Sequence, residues 1–327
     1  MQRKEIGGMA CLVLTAMIWG FAFVSQVQGM ASMSPLFFGA TRFTLGALSL
    51  IPLLWFRRRG IAEQERRRRE SNECPTVTLG NGITVAMPKC LGNPVVVSVI
   101  CGIVLFTAST VQQYGILYSG SAGRSGFITA LYIVLVPVFS TVLGKKAKKS
   151  IWLCVIAAVA GLYFLCFDGS STLSFSSGDM YVFLSAFAFT AQILAVDYFV
   201  QQVDGIALSC AQFAVVIMLS AIGALAFGEH TTLEAVKTCI PYLLYVGVVS
   251  SGVGYTLQII AQKDGDPTVV SLLLSLESFF AVVCGAIVLH ERMSLREYFG
   301  CALMLAAVIL SQLPEKSAKA VESGKKE

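Results

Sequence analysis

Ten apolar stretches dominate this chain, each near the length of about 20 residues that a helix needs to cross a bilayer core roughly 30 Å thick. They run near 6–28, 34–56, 94–118, 121–143, 151–167, 178–200, 206–227, 239–262, 267–289 and 295–313 of the 327 residues. A soluble fold would need a polar shell to cover them. Only 13% of the residues are charged, against about 25% in soluble domains, so that shell is missing and an all-α integral membrane protein is expected. The 29 glycines suit close-packed membrane helices. The first stretch has the charged start and apolar middle of a signal peptide. It lacks a small-x-small cleavage site and continues through Trp19, Phe21 and Phe23 to full membrane length, which marks a retained helix.

The distribution of Lys and Arg sets an orientation. With the N-terminus in the cytoplasm, nineteen of the 24 basic residues fall on the cytoplasmic side, including eight between Arg57 and Lys89 and four between Lys145 and Lys149. Arg124, Lys237, Arg292 and Arg296 fall on the other side, and Arg42 lies inside a span. Both termini are therefore expected in the cytoplasm.

The second half of the chain echoes the first. Gly7-x-Met9 aligns with Gly178-x-Met180, and the segment from Gly102 aligns with that from Gly247, so that Gln113 meets Gln258 and Tyr132 meets Glu277. Five spans per copy is an odd number, so the copies must be inverted in the membrane. This is a transporter architecture with its substrate site at mid-membrane between the halves. The organisation expected is a first repeat over 1–56 and 94–170, a cytoplasmic insert over 57–93, a second repeat over 171–313, and a cytoplasmic tail over 314–327. Within the insert, RRRGIAEQERRRRE suits a short helix or disorder, and the alternation around Asn81-Gly82 suits a β-hairpin. Its arginines suit anchoring at anionic lipid.

Polar groups within the spans mark candidate functional positions, because they are costly in hydrocarbon. Ser251, Tyr255, Gln258 and Gln262 share one face of the eighth span by helical spacing. Thr110 and Gln113 share one face of the third, Trp19, Phe23 and Gln26 one face of the first, and Ser125, Thr129 and Tyr132 one face of the fourth. Together they would line a cavity with aromatic walls and neutral hydrogen-bonding groups, unless the Gln and Ser side chains only join helices to one another. Glu277 is the one carboxylate deep in a span, a group that proton coupling would require. By the 3.6-residue period it lies off the face of Ser271, Ser275 and Ser278, so those serines and Glu277 cannot all face one cavity. Arg42 is the one base well inside a span. An Arg42–Glu277 ion pair and a proton or substrate site are both open. Arg124, at a span edge, is expected to snorkel to water.

Other chemistries find no pattern. His290-Glu291 lacks the second histidine of a zinc helix, and His230 has no ligand-spaced partner. Ser251-Gly252-Val253-Gly254-Tyr255 lacks the closing glycine of a potassium filter and suits close packing or a bend. The ten cysteines are dispersed without C-x-x-C spacing. No catalysis, metal, cofactor or nucleic-acid partner is expected; the partners are a small-molecule substrate and the bilayer, with a homodimer left open.

The motifs Ala16-Met17-Ile18-Trp19-Gly20-x-x-Phe23, Arg42-Phe43 and Ala122-Gly123-Arg124-Ser125-Gly126-Phe127, with Pro137 following, lie in the first half. Ser275-Leu276-Glu277-Ser278-Phe279-Phe280 and His290-Glu291-Arg292-Met293 lie in the second. In their order and spacing the chain resembles EamA-type members of the drug/metabolite transporter superfamily. Ser278, where a proline is common, His290, where glycine is usual, and the long 57–93 loop depart from the pattern. The resemblance implies a secondary carrier of the bacterial plasma membrane that exports amino acids, metabolites or drug-like molecules by alternating access. A passive facilitator, and a membrane sensor acting through the cytoplasmic loop, are the alternatives.

Overall fold

The computed structural model describes residues 3–70, 76–78, 84–86, 93–144, 149–166, 176–200, 203–263, 265–288 and 295–312. The Asn81-Gly82 turn, the 145–148 basic run, the His290–Met293 motif and the 314–327 tail lie outside them.

The chain is built almost entirely of helices. In the first half α1 is Arg3–Met30, α2 Pro35–Glu70, α3 Pro94–Ser119, α4 Ala122–Thr129, α5 Tyr132–Val142 and α6 Lys149–Cys166. In the second half α7 is Ser177–Phe199, α8 Gly205–Phe227, α9 Leu233–Leu244, α10 Thr256–Gln262, α11 Pro267–Leu274, α12 Leu276–Val288 and α13 Leu295–Gln312. Tyr245–Tyr255 forms a π-helical stretch between α9 and α10.

Local chemistry explains most of the helix ends. The Asn93 side chain accepts from Val95 N–H ahead of Pro94, and Gly120 closes α3 at a φ of 65°. Ser176 and Asp179 form a reciprocal capping box on α7. Asp204, Thr232 and Asp266 cap α8, α9 and α11. Each satisfies N–H groups that the helix itself leaves unpaired.

Eight of the resulting continuous segments are long and apolar enough to cross a membrane. Helices α6 and α13, each of 18 residues, complete ten passes. Two expected spans are broken rather than straight: 122–142 divides into α4 and α5 around Ala130–Leu131, and 267–288 divides into α11 and α12 at Ser275. The eighth span starts at Leu233, earlier than its hydropathy suggests, and contains the π-helical stretch. Helix α2 runs on as one helix through the arginines to Glu70. Beyond it Thr76–Thr78 and Thr84–Ala86 pair antiparallel, with Val77 opposite Val85.

The two halves interlock instead of standing side by side. The most extensive packing pairs α3 with α7, α6 with α13, α2 with α8 and α1 with α12, and each pair joins one half to the other. Close approach is enforced by glycine. A Cβ on Gly20 would lie 2.8 Å from Glu277 O and 2.9 Å from Ala281 N, and one on Gly178 would lie 2.6 Å from Ser119 N. The turn at 31–34 and the 228–232 loop lie at the same end of the bundle. There Ser34 N–H donates to Thr231 Oγ1 (3.3 Å), Leu36 N–H donates to Glu229 Oε2 (3.0 Å), and Tyr114 Oη donates to Glu229 Oε1.

Candidate functional site

A cavity lies between the halves, lined by residues of both. Helix α1 presents Trp19, Ala22, Phe23 and Gln26 to it, α2 presents Arg42, α3 Gln112, α4 Thr129 and α5 Tyr132. From the second half come Phe189, Gln192 and Ile193 of α7, Ser250 and Tyr255 of the π-helical stretch, Gln258 of α10 and Glu277 of α12.

Its geometry begins with the breaks in the two discontinuous spans. Tyr132 opens α5 just after one break, and Glu277 lies just after the other. The Tyr132 hydroxyl donates to Glu277 Oε1 at 2.9 Å. These residues are aligned by the internal duplication. Among the described residues Glu277 makes no ion pair, and its Oε2 takes no hydrogen bond from the protein.

Arg42 is 3% exposed, and it is held by neutral partners. Its Nη1 donates to Gln26 Oε1 at 2.9 Å and its Nε to Ser251 Oγ at 3.2 Å, and among the described residues Nη2 donates to no protein acceptor. An Arg42–Glu277 ion pair is therefore not formed. The helix spacing brings both groups into one chamber, but each is claimed first by a polar neighbour from another helix.

The remaining wall is aromatic and amide. The Trp19 indole N–H donates to Ser250 O at 3.1 Å, and its ring tilts against Tyr255 at 4.9 Å between centroids. This ties α1 to the π-helical stretch, where hydrogen bonds run from residue i to i−5 and the helix is widened. Gly254 permits the approach, since a Cβ there would lie 2.6 Å from Trp19 Nε1. Gln112 Nε2 donates to Thr129 Oγ1 at 3.0 Å, and Gln258 Nε2 donates to Gln192 Oε1 at 3.2 Å.

The structure thus brings Trp19, Phe23, Gln26, Arg42, Thr129, Tyr132, Tyr255, Gln258 and Glu277 to one cavity. Gln113 is the exception: it is buried but absent from the wall, and its neighbour Gln112 stands there instead. One residue is a 100° step on a helix, which an alignment of thin identity does not resolve. Sequence reasoning also missed Gln192 and Ser250. Gln192 is the one side-chain amide of its span, the same signal that marked the other glutamines. Ser271, Ser275 and Ser278 each donate to a backbone carbonyl three residues earlier, so they serve the helix break and not the cavity. Arg124 reaches Asp179 Oδ2 at 2.8 Å with its side chain 48% exposed, a partner that snorkelling to water did not anticipate.

Comparison with known proteins agrees with this architecture. The model of the EamA-like transporter family matches residues 6–167 and again 176–313. The chain belongs to the EamA-like transporter family. The two matches correspond to the two five-pass halves, an inverted repeat within one multi-pass membrane protein. A relative described as an uncharacterized transporter, from Archaeoglobus fulgidus, is 28% identical over 306 residues, covering 92% of this chain and 84% of the relative. A protein of known crystal structure superposes with a TM-score of 0.69 at 16% identity, covering 95% of this chain and 99% of that one. That likeness concerns the fold.

Proposed function

We propose that this member of the family is a secondary active exporter of small zwitterionic metabolites, amino acids among them, working by alternating access with both termini in the cytoplasm. The observation that carries this reading is the pairing pattern around the cavity. Arg42 and Glu277 are buried in one chamber, yet each is engaged by neutral side chains, with Nη2 and Oε2 left over. Buried charges are normally compensated. A ligand that brings a carboxylate to Arg42 and an ammonium to Glu277 would compensate both at once.

The position of the cavity between inverted halves and beside discontinuous helices supports alternating access. Apolar walls from Trp19, Phe23 and Phe189 would shield the charged contacts from water, where such contacts are stronger than in solvent. Export is supported by the family resemblance.

The test uses purified protein in liposomes, with uptake of a neutral amino acid compared with uptake of its deaminated acid and its decarboxylated amine. Preference for the zwitterion, lost in Arg42→Gln and in Glu277→Gln, is the expected result. Equal handling of the single-charge analogues overturns the substrate reading. Flux that never accumulates substrate against a gradient overturns the active mechanism in favour of a facilitator. Comparing metabolites inside and outside cells with the gene deleted and overexpressed then reads the direction.

A further inference from the structure

We infer that the cavity contains a second, uncharged recognition subsite, formed by Gln192 and Gln258, that reads a carboxamide-like group at the far end of the substrate. This deepens the proposed reading of the cavity as a zwitterion site and rests on it. The two side chains come from α7 and α10, they are 1% and 0% exposed, and both line the cavity. A single hydrogen bond joins them, from Gln258 Nε2 to Gln192 Oε1 at 3.2 Å. Gln192 Nε2 and Gln258 Oε1 have no protein partner.

That leaves one donor nitrogen and one acceptor oxygen unpartnered on the hydrogen-bonded pair. The result does not depend on how the amides are oriented. If both were turned over, Gln192 would offer the acceptor and Gln258 the donor, and the pair would still present one of each. The complementary ligand group carries an acceptor and a donor on one carbon, as a carboxamide or a ureide does. A carboxylate offers only acceptors, and an alkyl end offers neither. A site built to hydrogen-bond in this way rejects the analogue that leaves its polar groups unpaired far more strongly than an apolar pocket rejects an extra methylene.

The pair is held in position before any ligand arrives. Gln262 Nε2 donates to Ile193 O at 3.0 Å, fixing α10 against α7 beside Gln192. Its depth also fits a substrate bound at one end by charges. Counting 1.5 Å per residue from the 31–34 end, Arg42 lies roughly 10 Å down α2, Glu277 roughly 17 Å down α12, and Gln192 roughly 22 Å down α7. A carboxylate, an ammonium and then a short side chain ending in an amide would meet these groups in that order.

The experiment measures binding to the full-length purified protein by thermal shift and by competition in liposome counterflow. The probes are L-glutamine (carboxamide), L-citrulline (ureide), L-norleucine (apolar) and L-glutamate (carboxylate). Glutamine or citrulline should bind at least tenfold more tightly than norleucine and glutamate, and the arm that wins identifies which group is read. The isosteric variants Gln192→Met and Gln258→Met, and the double variant that leaves no orphaned amide, should bring the glutamine-to-norleucine ratio to about one. Thermal melting of each variant without ligand reports intact folding. If all four zwitterions bind the wild type alike, or the ratio survives in the variants, the amides are satisfied by water and the subsite is refuted while the zwitterion reading stands. If none binds, but single-charge analogues do, the zwitterion reading fails and the subsite falls with it.

Discussion

Arg42, Glu277 and Asp179 show how three buried or nearly buried charges in one membrane protein reach different solutions. Asp179 is fully buried and has two partners at 2.8 Å, the Arg124 guanidinium and the Ser176 N–H at the start of α7. Arg42 and Glu277 have only neutral partners and face a cavity. The first arrangement sets opposite charges together on Oδ2, although Asp179 Oδ1 keeps no partner, and the second leaves both charges without a counter-ion among the described residues. Removing the arginine would strand a buried carboxylate, whereas neutralising the aspartate leaves a half-exposed arginine that water can solvate. Arg124→Ala should therefore destabilise by about 2–3 kcal/mol, below the 3–5 kcal/mol of a fully enclosed pair. Asp179→Asn should lose less, and melting curves in detergent check the order. Glu277 belongs to the other class. If it carries the coupling proton, Glu277→Gln protein in liposomes should lose the dependence of transport on the pH gradient; unchanged dependence removes that role.

At the scale of elements, the breaks are where the chemistry collects. The α4–α5 and α11–α12 interruptions place Tyr132 and Glu277 in hydrogen-bond contact in the cavity. The π-helical stretch places Ser250, Ser251 and Tyr255 against Trp19 and Arg42. Small residues make both arrangements sterically possible. Gly20 lies so near the α12 backbone that a methyl group would force the helices apart. Such overpacking typically costs about 1–3 kcal/mol. Gly20→Ala should thus lower the melting temperature and also weaken substrate binding, because Glu277 lies on the displaced turn. In Gly254→Ala the new methyl group should push the indole off Ser250 O, and a changed Trp19 fluorescence spectrum reports it.

For the whole molecule, the cross-packing of α3 on α7, α2 on α8 and α1 on α12 means that neither half can bury its own inner face alone. The five-helix halves should not be separable: expressed singly each should aggregate, and co-expressed they should recover binding. The 71–92 segment contrasts with this, since the sequence reads it as part of a polar cytoplasmic insert between α2 and α3. Replacing it with a short flexible linker should leave transport within about twofold of wild type. Loss of a cellular phenotype without loss of flux would instead favour the sensor reading. Under the proposed topology both termini are cytoplasmic, and paired epitope tags should be protected in intact cells and accessible in inverted vesicles.

Hydropathy and repetition carry far in this chain. Ten spans, an inverted duplication and nine of the cavity's residues are legible from composition, period and alignment, because a bilayer penalises every misplaced polar group and so makes each one a signal. Periodicity reads a helix as straight and a face as continuous, and there it stops. The breaks at Ala130 and Ser275 and the π-helical stretch re-aim side chains by amounts no regular period contains, and within the unbroken α3 a thin alignment does not separate Gln113 from Gln112, which lines the cavity. Whether Arg42 meets Glu277 depended on competition among hydrogen-bond partners: Gln26 on the adjacent α1, and Ser251 and Tyr132 across the two halves. Ser251 and Tyr132 won that competition only because the two halves fold into one another.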